Sequence, residues 1–592
     1  MPLRGNACAF RCSASTCADI SAHSPRPVRR AIFILGLLAL LALAFAARCW
    51  NLRDVFVGGR IYFIEADAYS RMTRARMVAN GESLVIRHHD FENFPAGTTP
   101  HTTAPLDWLI VAGKWTLGLS FAVFDRGKTS VLRAQPLDLA GALVSPLLGV
   151  VACGWIAWVL GRVRGVPRSA AWAAGFFAAV SPILVHGTLL GRPDHQSLLI
   201  ALLAIALAAE LRLAEGFTRA WSLAGGVAWG CACWVSFYEP VVVLAVVAAF
   251  WTVADRGRFA ARECRAGWIA FASIVVMSVL IEGWRLSWPD AGMRDVFARW
   301  SRSIGELHHP TFALAMSWLG WLAVVAPVLL AGMALRAARS RRGTKGQAIE
   351  SETVPQAVGR PAALLLALLV ALAALTIWQV RWGYFLALAF ALALPWIFAA
   401  MRRAWIAWPV FIVALWPVAQ AWDARLFPGE EAERRRAMQR AENIALRQLA
   451  EFQRERNAGP FIAPWWLSPA LAYWSGQPGV AGSSHESLAG IVDSARVYLA
   501  EKPADAAHII RSRQVRWIVG DQAERLLGTS SQLLGVPPPR TEPLGYLLDQ
   551  RRQSLPEWLI HVDWSPGYRT QSGVGQMEMF RLYRVDETKL PQ

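Results

Sequence analysis

The sequence predicts a polytopic α-helical membrane protein that ends in a soluble α/β domain, and three observations carry that prediction. Of the 592 residues, 55% are hydrophobic and 29 are Trp, a composition suited to a chain that lives in lipid. Apolar runs of crossing length recur between residues 31 and 421. Beyond 421 the chain turns polar, with helix-like and strand-like stretches in alternation. The formal net charge of +18 does not indicate nucleic acid, because the arginines sit in short clusters between apolar runs, where they orient helices in the bilayer. Eight cysteines, none of them after Cys264, make no disulfide framework in the polar part and no zinc-type pairing.

Taken in order, residues 1–30 read as a basic cytoplasmic segment and 31–47 as the first crossing helix. Ala44-Phe45-Ala46 imitates a cleavage site, but the leading segment is long for a signal peptide, so an uncleaved helix is expected. Residues 48–138 then form a large first external loop. The run 106–124 is placed inside that loop, because counting it as a span would move every later arginine cluster to the outside. Asp107 and Lys114 within it also fit the interface better than mid-bilayer, where each charge costs about 2.5–3.5 kcal/mol. The runs 139–160, 170–190, 198–213, 221–238, 241–254, 267–281, 312–335, 362–378, 384–400 and 404–421 follow, for about 11–13 transmembrane helices over 31–421. In the 422–592 domain, Ala441, Ile444, Ala445, Leu449 and Phe452 recur at helical spacing and predict a helix over 430–456. A helix over 503–512 and strands at 515–519 and 579–585 complete it.

With this topology four polar islands meet on one external face. The first is Glu65-Ala66-Asp67-Ala68-Tyr69, which opens the long loop and is followed by His88-His89-Asp90 and Phe94-Pro95-Ala96-Gly97. The others are Gly191-Arg192-Pro193-Asp194-His195-Gln196, Ile304-Gly305-Glu306-Leu307-His308-His309-Pro310 and Gln379-Val380-Arg381-Trp382. Asp67, Asp194 and Glu306 offer the oxygen ligands that hard divalent cations prefer; the plainer reading makes them solvated loop charges or salt bridges. Arg381 offers a planar fork for phosphate, or else anchors the chain at lipid headgroups. His88, His89, His195, His308, His309 and His485 show no two-ligand zinc spacing. Trp465-Trp466 reads either as core aromatics or as a surface for a peptide.

In this order the motifs resemble the catalytic subunit of oligosaccharyltransferases, the single-subunit bacterial and archaeal type included. Glu65 to Tyr69, with Arg74 to Gly81, resembles the family's first acidic motif and the helix after it; Asn93 to Gly97 and Thr103 to Leu106 continue the likeness. Gly191 to Gln196 resembles the second acidic motif, Ser303 to Pro310 the external-loop glutamate motif, and Gln379 to Tyr384 the segment carrying a diphosphate-contacting arginine. Pro464-Trp465-Trp466, then Tyr473-Trp474 and Gly476, is similar to the acceptor-binding Trp-Trp-Asp motif. Two positions depart from the pattern: Gln196 replaces an acidic residue or histidine, and Leu467 replaces the aspartate that binds the acceptor's hydroxyl residue.

What the resemblance implies is a GT-C-type glycosyltransferase fold in a bacterial cytoplasmic membrane, with its site on the periplasmic side. The implied reaction is inverting transfer of a glycan from a polyprenyl-diphosphate-linked oligosaccharide to an acceptor protein or peptide, at an asparagine amide. Asp67, Asp194, His195 and Gln196 would hold Mg²⁺ or Mn²⁺, Arg381 the diphosphate, and Trp465, Trp466 and Glu306 the acceptor, with Asp67 and Glu306 catalytic. Two other readings stay open on the sequence. One keeps the fold but transfers to a protein hydroxyl, a lipid or a cell-wall polymer; the other is a transporter or flippase, whose usual mark is charge within the spans.

Overall fold

The computed structural model describes residues 26–124, 135–283, 285, 291–343, 353–401, 403–564, 568–569, 576–577 and 579–591. Residues 1–25 of the expected N-terminal segment lie outside the described residues. Every apolar run named above is helical. Among the described residues, seven helices are individually long and apolar enough to cross a membrane, or eight if the bent pair Ala404–Ala414 and Trp416–Leu426 is one span, by length and composition. The remaining runs are shorter or broken. The 170–190 run splits into Arg168–Val180 and Pro182–His186, because Pro182 has no N–H to continue the ladder. The 312–335 run splits at Gly320 between Phe312–Leu319 and Leu322–Gly343.

The break at Pro182 has a use. Carbonyls freed at the end of Arg168–Val180 accept from Arg48, which closes the first helix, Arg26–Arg48, and is 1% exposed. Its Nη1 donates to the Ala179 carbonyl and its Nη2 to the Ala178 carbonyl, both at 3.2 Å, while Nε donates to Thr188 Oγ1 at 2.7 Å. A Cβ at Gly149 of the helix Pro136–Leu160 would collide with this guanidinium. Helices Arg219–Val235 and Arg262–Glu282 approach equally closely through Gly226 and Gly267, the small-residue contact that lets helix backbones pack in lipid.

The 106–124 run forms the helix Pro105–Phe124, packed on Ala66–Ala79 and Pro136–Leu160. Asp107 is 2% exposed and accepts from Arg71 Nη1 at 2.9 Å, so its charge is neutralised inside the protein rather than at a headgroup interface.

The polar domain begins with the helix Glu430–Glu455, which buries Ala445, Leu446, Leu449 and Ala450 and packs against Ser468–Ser475. A four-stranded sheet follows, in the order Phe461–Ile462, Trp517–Gly520, Arg581–Val585, Leu559–Val562. The first pair is parallel and the other two antiparallel. Helices Leu488–Leu499, Pro503–Ser512 and Ala523–Leu534 supply Val497, Tyr498, Ile510 and Leu526 to a core with Ile518 and Tyr583 of the sheet. Arg60 to Glu451 at 2.5 Å and Arg440 to Asp54 at 2.7 Å tie this domain to the first external loop.

Candidate active site

Asp67 and Asp194 reach the same cavity from different parts of the chain. Asp67 lies in the first turn of Ala66–Ala79, and Asp194 is the N-cap of His195–Glu215, where the amino-terminal end of a helix favours a negative charge. The cavity, of about 440 Å³ empty volume, is lined by both carboxylates with His195, His101, Glu92, Ser483, Ser484 and Glu486 among others. Asp194 sits beside His195 Nδ1 at 2.5 Å. Burial raises its carboxyl, but His195 and Arg192 outweigh burial and hold it well below the usual range. Asp67, by contrast, is pushed up by removal from bulk water and by Asp194 and Glu306, with a hydrogen bond from Ser483 opposing. Two close carboxylates, one of them uncompensated, form a donor set that fits a hard divalent cation.

A second cluster adjoins the first and is organised by Arg192. Gly191 precedes it with φ +74°, and an added Cβ there would meet Val55 at 2.8 Å, so the turn requires glycine. Arg192 is 3% exposed. Its Nε donates to Glu65 Oε1 and its Nη2 to Glu306 Oε1, each at 2.6 Å. Its Nη2 also lies 3.6 Å from Asp194 Oδ2. Glu306 accepts further from Tyr384 OH at 2.9 Å and, through Oε2, from Gln196 Nε2 at 2.6 Å. Gln196 thus faces Glu306. Burial raises the Glu306 carboxyl, yet Arg192 and then Arg381 outweigh it and keep it below its ordinary value.

The Glu306 turn, Gly305–Leu307, is pinned to the Arg381 turn, Val380–Trp382, by the Val380 N–H donating to the His308 carbonyl at 2.9 Å. Arg381 Nη2 is 3.5 Å from Glu239 Oε1, and its Nε is buried with no hydrogen bond among the described residues. The spare donor faces acidic neighbours within the protein. His308 and His309 stand apart from the cavity: their rings contact the Arg302 and Ile377 carbonyls.

Trp465 and Trp466 are half-buried and meet edge to face at 5.8 Å. Trp465 packs on Trp300 of the helix Arg294–Trp300, while the Arg525 guanidinium lies 4.9 Å over Trp466. Leu467 is 6% exposed and belongs to the core. Ser468 is spent on the Ala481 carbonyl at 2.6 Å, whereas Ser484 opens into the cavity.

Sequence reasoning missed Arg192, Glu92, His101 and Glu486. Arg192 stood inside a recognised motif, flanked by glycine and proline, and that local signal could have marked it. His101 and Glu486 meet across 385 positions of sequence, beyond any spacing rule. Glu92, hydrogen-bonded by Ser70, is raised by burial to about 7.

No protein-family model matches the sequence, and no curated protein sequence matches it. Solved structures do. The apo oligosaccharyltransferase of Archaeoglobus fulgidus superposes with TM-score 0.58 at 13% identity, over 87% of this chain and 72% of that one. The same archaeal protein in complex with an inhibitory peptide and a dolichol-phosphate gives 0.55 at 13% identity, over 85% and 71%. ArnT from Cupriavidus metallidurans, in the apo state, gives 0.50 at 14% identity, over 95% and 100%. At such identities the likeness is one of fold: this chain shares with those structures a multi-span helical body, followed by a small mixed sheet at its C-terminal end.

Proposed function

We propose that this protein is a GT-C-type glycosyltransferase of the oligosaccharyltransferase kind, transferring a glycan from a polyprenyl-diphosphate carrier to an asparagine amide of an acceptor protein. Residues 31–421 with the external loop 48–138 form the catalytic body, and 422–592 the extracytoplasmic domain of a bacterial inner-membrane protein. The observation that carries the reading is the shared cavity of Asp67 and Asp194 with Glu306 held beside it. The archaeal structure bound to a peptide and a dolichol-phosphate supports the substrate classes.

The chemistry follows from charge. The acceptor nitrogen attacks the anomeric carbon, the carbon–oxygen bond to the diphosphate breaks, and the leaving group departs with the electron pair. Asp67 and Asp194, with His195 beside Asp194, would hold a divalent cation, Mg²⁺ or Mn²⁺, which would neutralise that developing charge, whereas Gln196 is turned to Glu306 instead. Arg381, on the turn beside Glu306, would offer its guanidinium to the diphosphate. A carboxylate has about four acceptor positions. On Glu306, Arg192, Tyr384 and Gln196 take three, which leaves one for an acceptor amide N–H. Asp67 and Glu306 orient and polarise the amide, and Asp67 takes up the proton that the nitrogen loses.

Leu467 bears on acceptor choice. A site built to bond a substrate hydroxyl rejects analogues lacking it by about 10⁴–10⁵-fold, and an apolar site does not. With Leu467 buried, Trp465 and Trp466 hold the acceptor without a carboxylate beside them. A second reading, transfer to a protein hydroxyl, a lipid or a polymer, is favoured by the same leucine. The test is transfer from a synthetic diphosphate-linked donor to peptides carrying Ser, Thr, Ala or Val two residues after Asn, with and without EDTA. Transfer to Asn that EDTA abolishes, with Ser and Thr preferred by less than about 10²-fold, is expected. A strict Ser/Thr requirement would refute the role given to Leu467, and glycan only on Ser or on lipid would establish the second reading.

A further inference from the structure

The cavity has a wall that the transfer reading leaves unused. His101 arrives from the first external loop, and His485 and Glu486 from the turn His485–Ser487 of the polar domain. One ligand atom from each lies within 4.8 Å of the other two. His101 Nδ1 and the His101 backbone N–H both meet Glu486 Oε1 at 2.5 Å. Glu486 Oε2 is 3.5 Å from His485 Nδ1, and Ser484 also hydrogen-bonds the Glu486 carboxylate. The two imidazole rings lie 4.9 Å apart.

Two imidazoles and one carboxylate form the donor set of three-ligand zinc sites, which keep a fourth position open. Ligand atoms about 2.0–2.1 Å from a tetrahedral ion lie about 3.4 Å from one another, so the observed spacing needs side-chain adjustment only. Magnesium prefers oxygen and retains water, whereas imidazole suits zinc and its neighbours. The set differs chemically from Asp67 and Asp194, although the His101 ring is only 6.2 Å from that of His195.

We propose that His101, His485 and Glu486 bind a zinc-class transition-metal ion that ties the first external loop to the C-terminal domain. The clamp joins segments 385 residues apart, and it does so without taking part in glycan transfer. It stands independently of the transfer reading, because metal can be counted without donor or acceptor.

The experiment uses the full chain in nanodiscs, stripped with a chelator, reloaded with Zn²⁺ under excess Mg²⁺ and desalted. Metal is counted by plasma mass spectrometry, and ligands are identified by zinc X-ray absorption. Wild type and Asp67→Asn should each keep one equivalent with imidazole ligation. His485→Ala and Glu486→Gln should lose it, with affinity falling more than about tenfold. His485→Cys, which retains a ligand, should keep zinc and show sulfur in its spectrum, so a folding defect in the alanine variant does not decide the matter. Zinc binding should also slow hydrogen exchange over residues 98–103 in wild type and not in His485→Ala. Absence of a tight equivalent in wild type overturns the proposal. So does its loss in Asp67→Asn with retention in His485→Ala, or zinc in His485→Cys without sulfur.

Discussion

Two acidic clusters lie side by side at the head of this protein, and they treat charge in opposite ways. Around Arg192 every carboxylate has a cation or a donor: Glu65, Glu306 and Asp194 all contact one guanidinium. In the neighbouring cavity Asp67 has a serine hydroxyl and faces further carboxylates. The first cluster is organised by one buried cation and still leaves an acceptor position on Glu306. In the second, Asp67 is held by a serine hydroxyl rather than by a guanidinium, which suits a site for a cation and a charged donor. The difference teaches where to look for chemistry: a carboxylate already paired is more often structure, and one left short of partners is more often function.

The comparison breaks most visibly if the scaffold is cut. Arg192→Ala leaves three acidic groups around an emptied position, and removing one partner of a buried ionic network costs about 3–5 kcal/mol. Thermal unfolding in nanodiscs should show that loss; a change below about 1 kcal/mol would mean the network is ornamental. Next comes the cavity. Asp67→Asn or Asp194→Asn should lower transfer by roughly 10²–10³-fold, the scale for losing one electrostatic stabiliser; Asp67→Asn should leave unfolding unchanged within about 1 kcal/mol, whereas Asp194→Asn also loosens the pairing with Arg192 and His195. Near-normal transfer in both variants would remove the cation from the mechanism.

A pH experiment sharpens the contrast. Glu92 is raised from an ordinary 4.5 to about 7 by burial, against its hydrogen bond from Ser70 and the nearby Arg74. The folded state therefore binds its proton more tightly than the unfolded chain does. Stability from this group is complete below about pH 4.5 and is lost as pH rises toward 7. In chelator, Glu92→Gln should flatten that decline and melt higher than wild type at pH 8; parallel profiles for the two proteins would contradict the assignment. The smallest effect is at Arg381. Arg381→Lys keeps the charge but loses the planar fork, and should raise the donor's apparent KM by about tenfold, or 1.4 kcal/mol. A shift confined to the acceptor would move Arg381 away from the diphosphate.

Sequence patterns revealed the fold more fully than the site. Apolar runs became helices because a backbone in lipid must satisfy its own hydrogen bonds, and the 3.6-residue spacing of Ala445 and Leu449 marked the buried face of Glu430–Glu455. Strand 515–519 shortened to Trp517–Gly520, since its ends are set by pairing with Arg581–Val585 rather than by propensity. At the site, Asp67 and Asp194 were legible because each opens or caps a helix next to an apolar run. Gln196 facing Glu306, and His101 facing Glu486, were not, since both contacts arise only when distant segments pack. The partner of Asp107 was hidden for the same reason: Arg71 lies 36 positions away on another helix.

The buried arginine that closes the first helix bears on the timing of synthesis. Arg48 leaves the ribosome about 130 residues before the carbonyls of Ala178 and Ala179 that receive it, an interval on the order of 10 s at ordinary elongation rates. Through that interval the partner at hand is the Ala44 carbonyl of its own helix, and a long basic side chain rests at the headgroup level at little cost. The contacts that bury Arg48 therefore close only after the broken 168–186 segment has been made. The packing of the first helix is a late event, completed when the kink at Pro182 offers up its carbonyls.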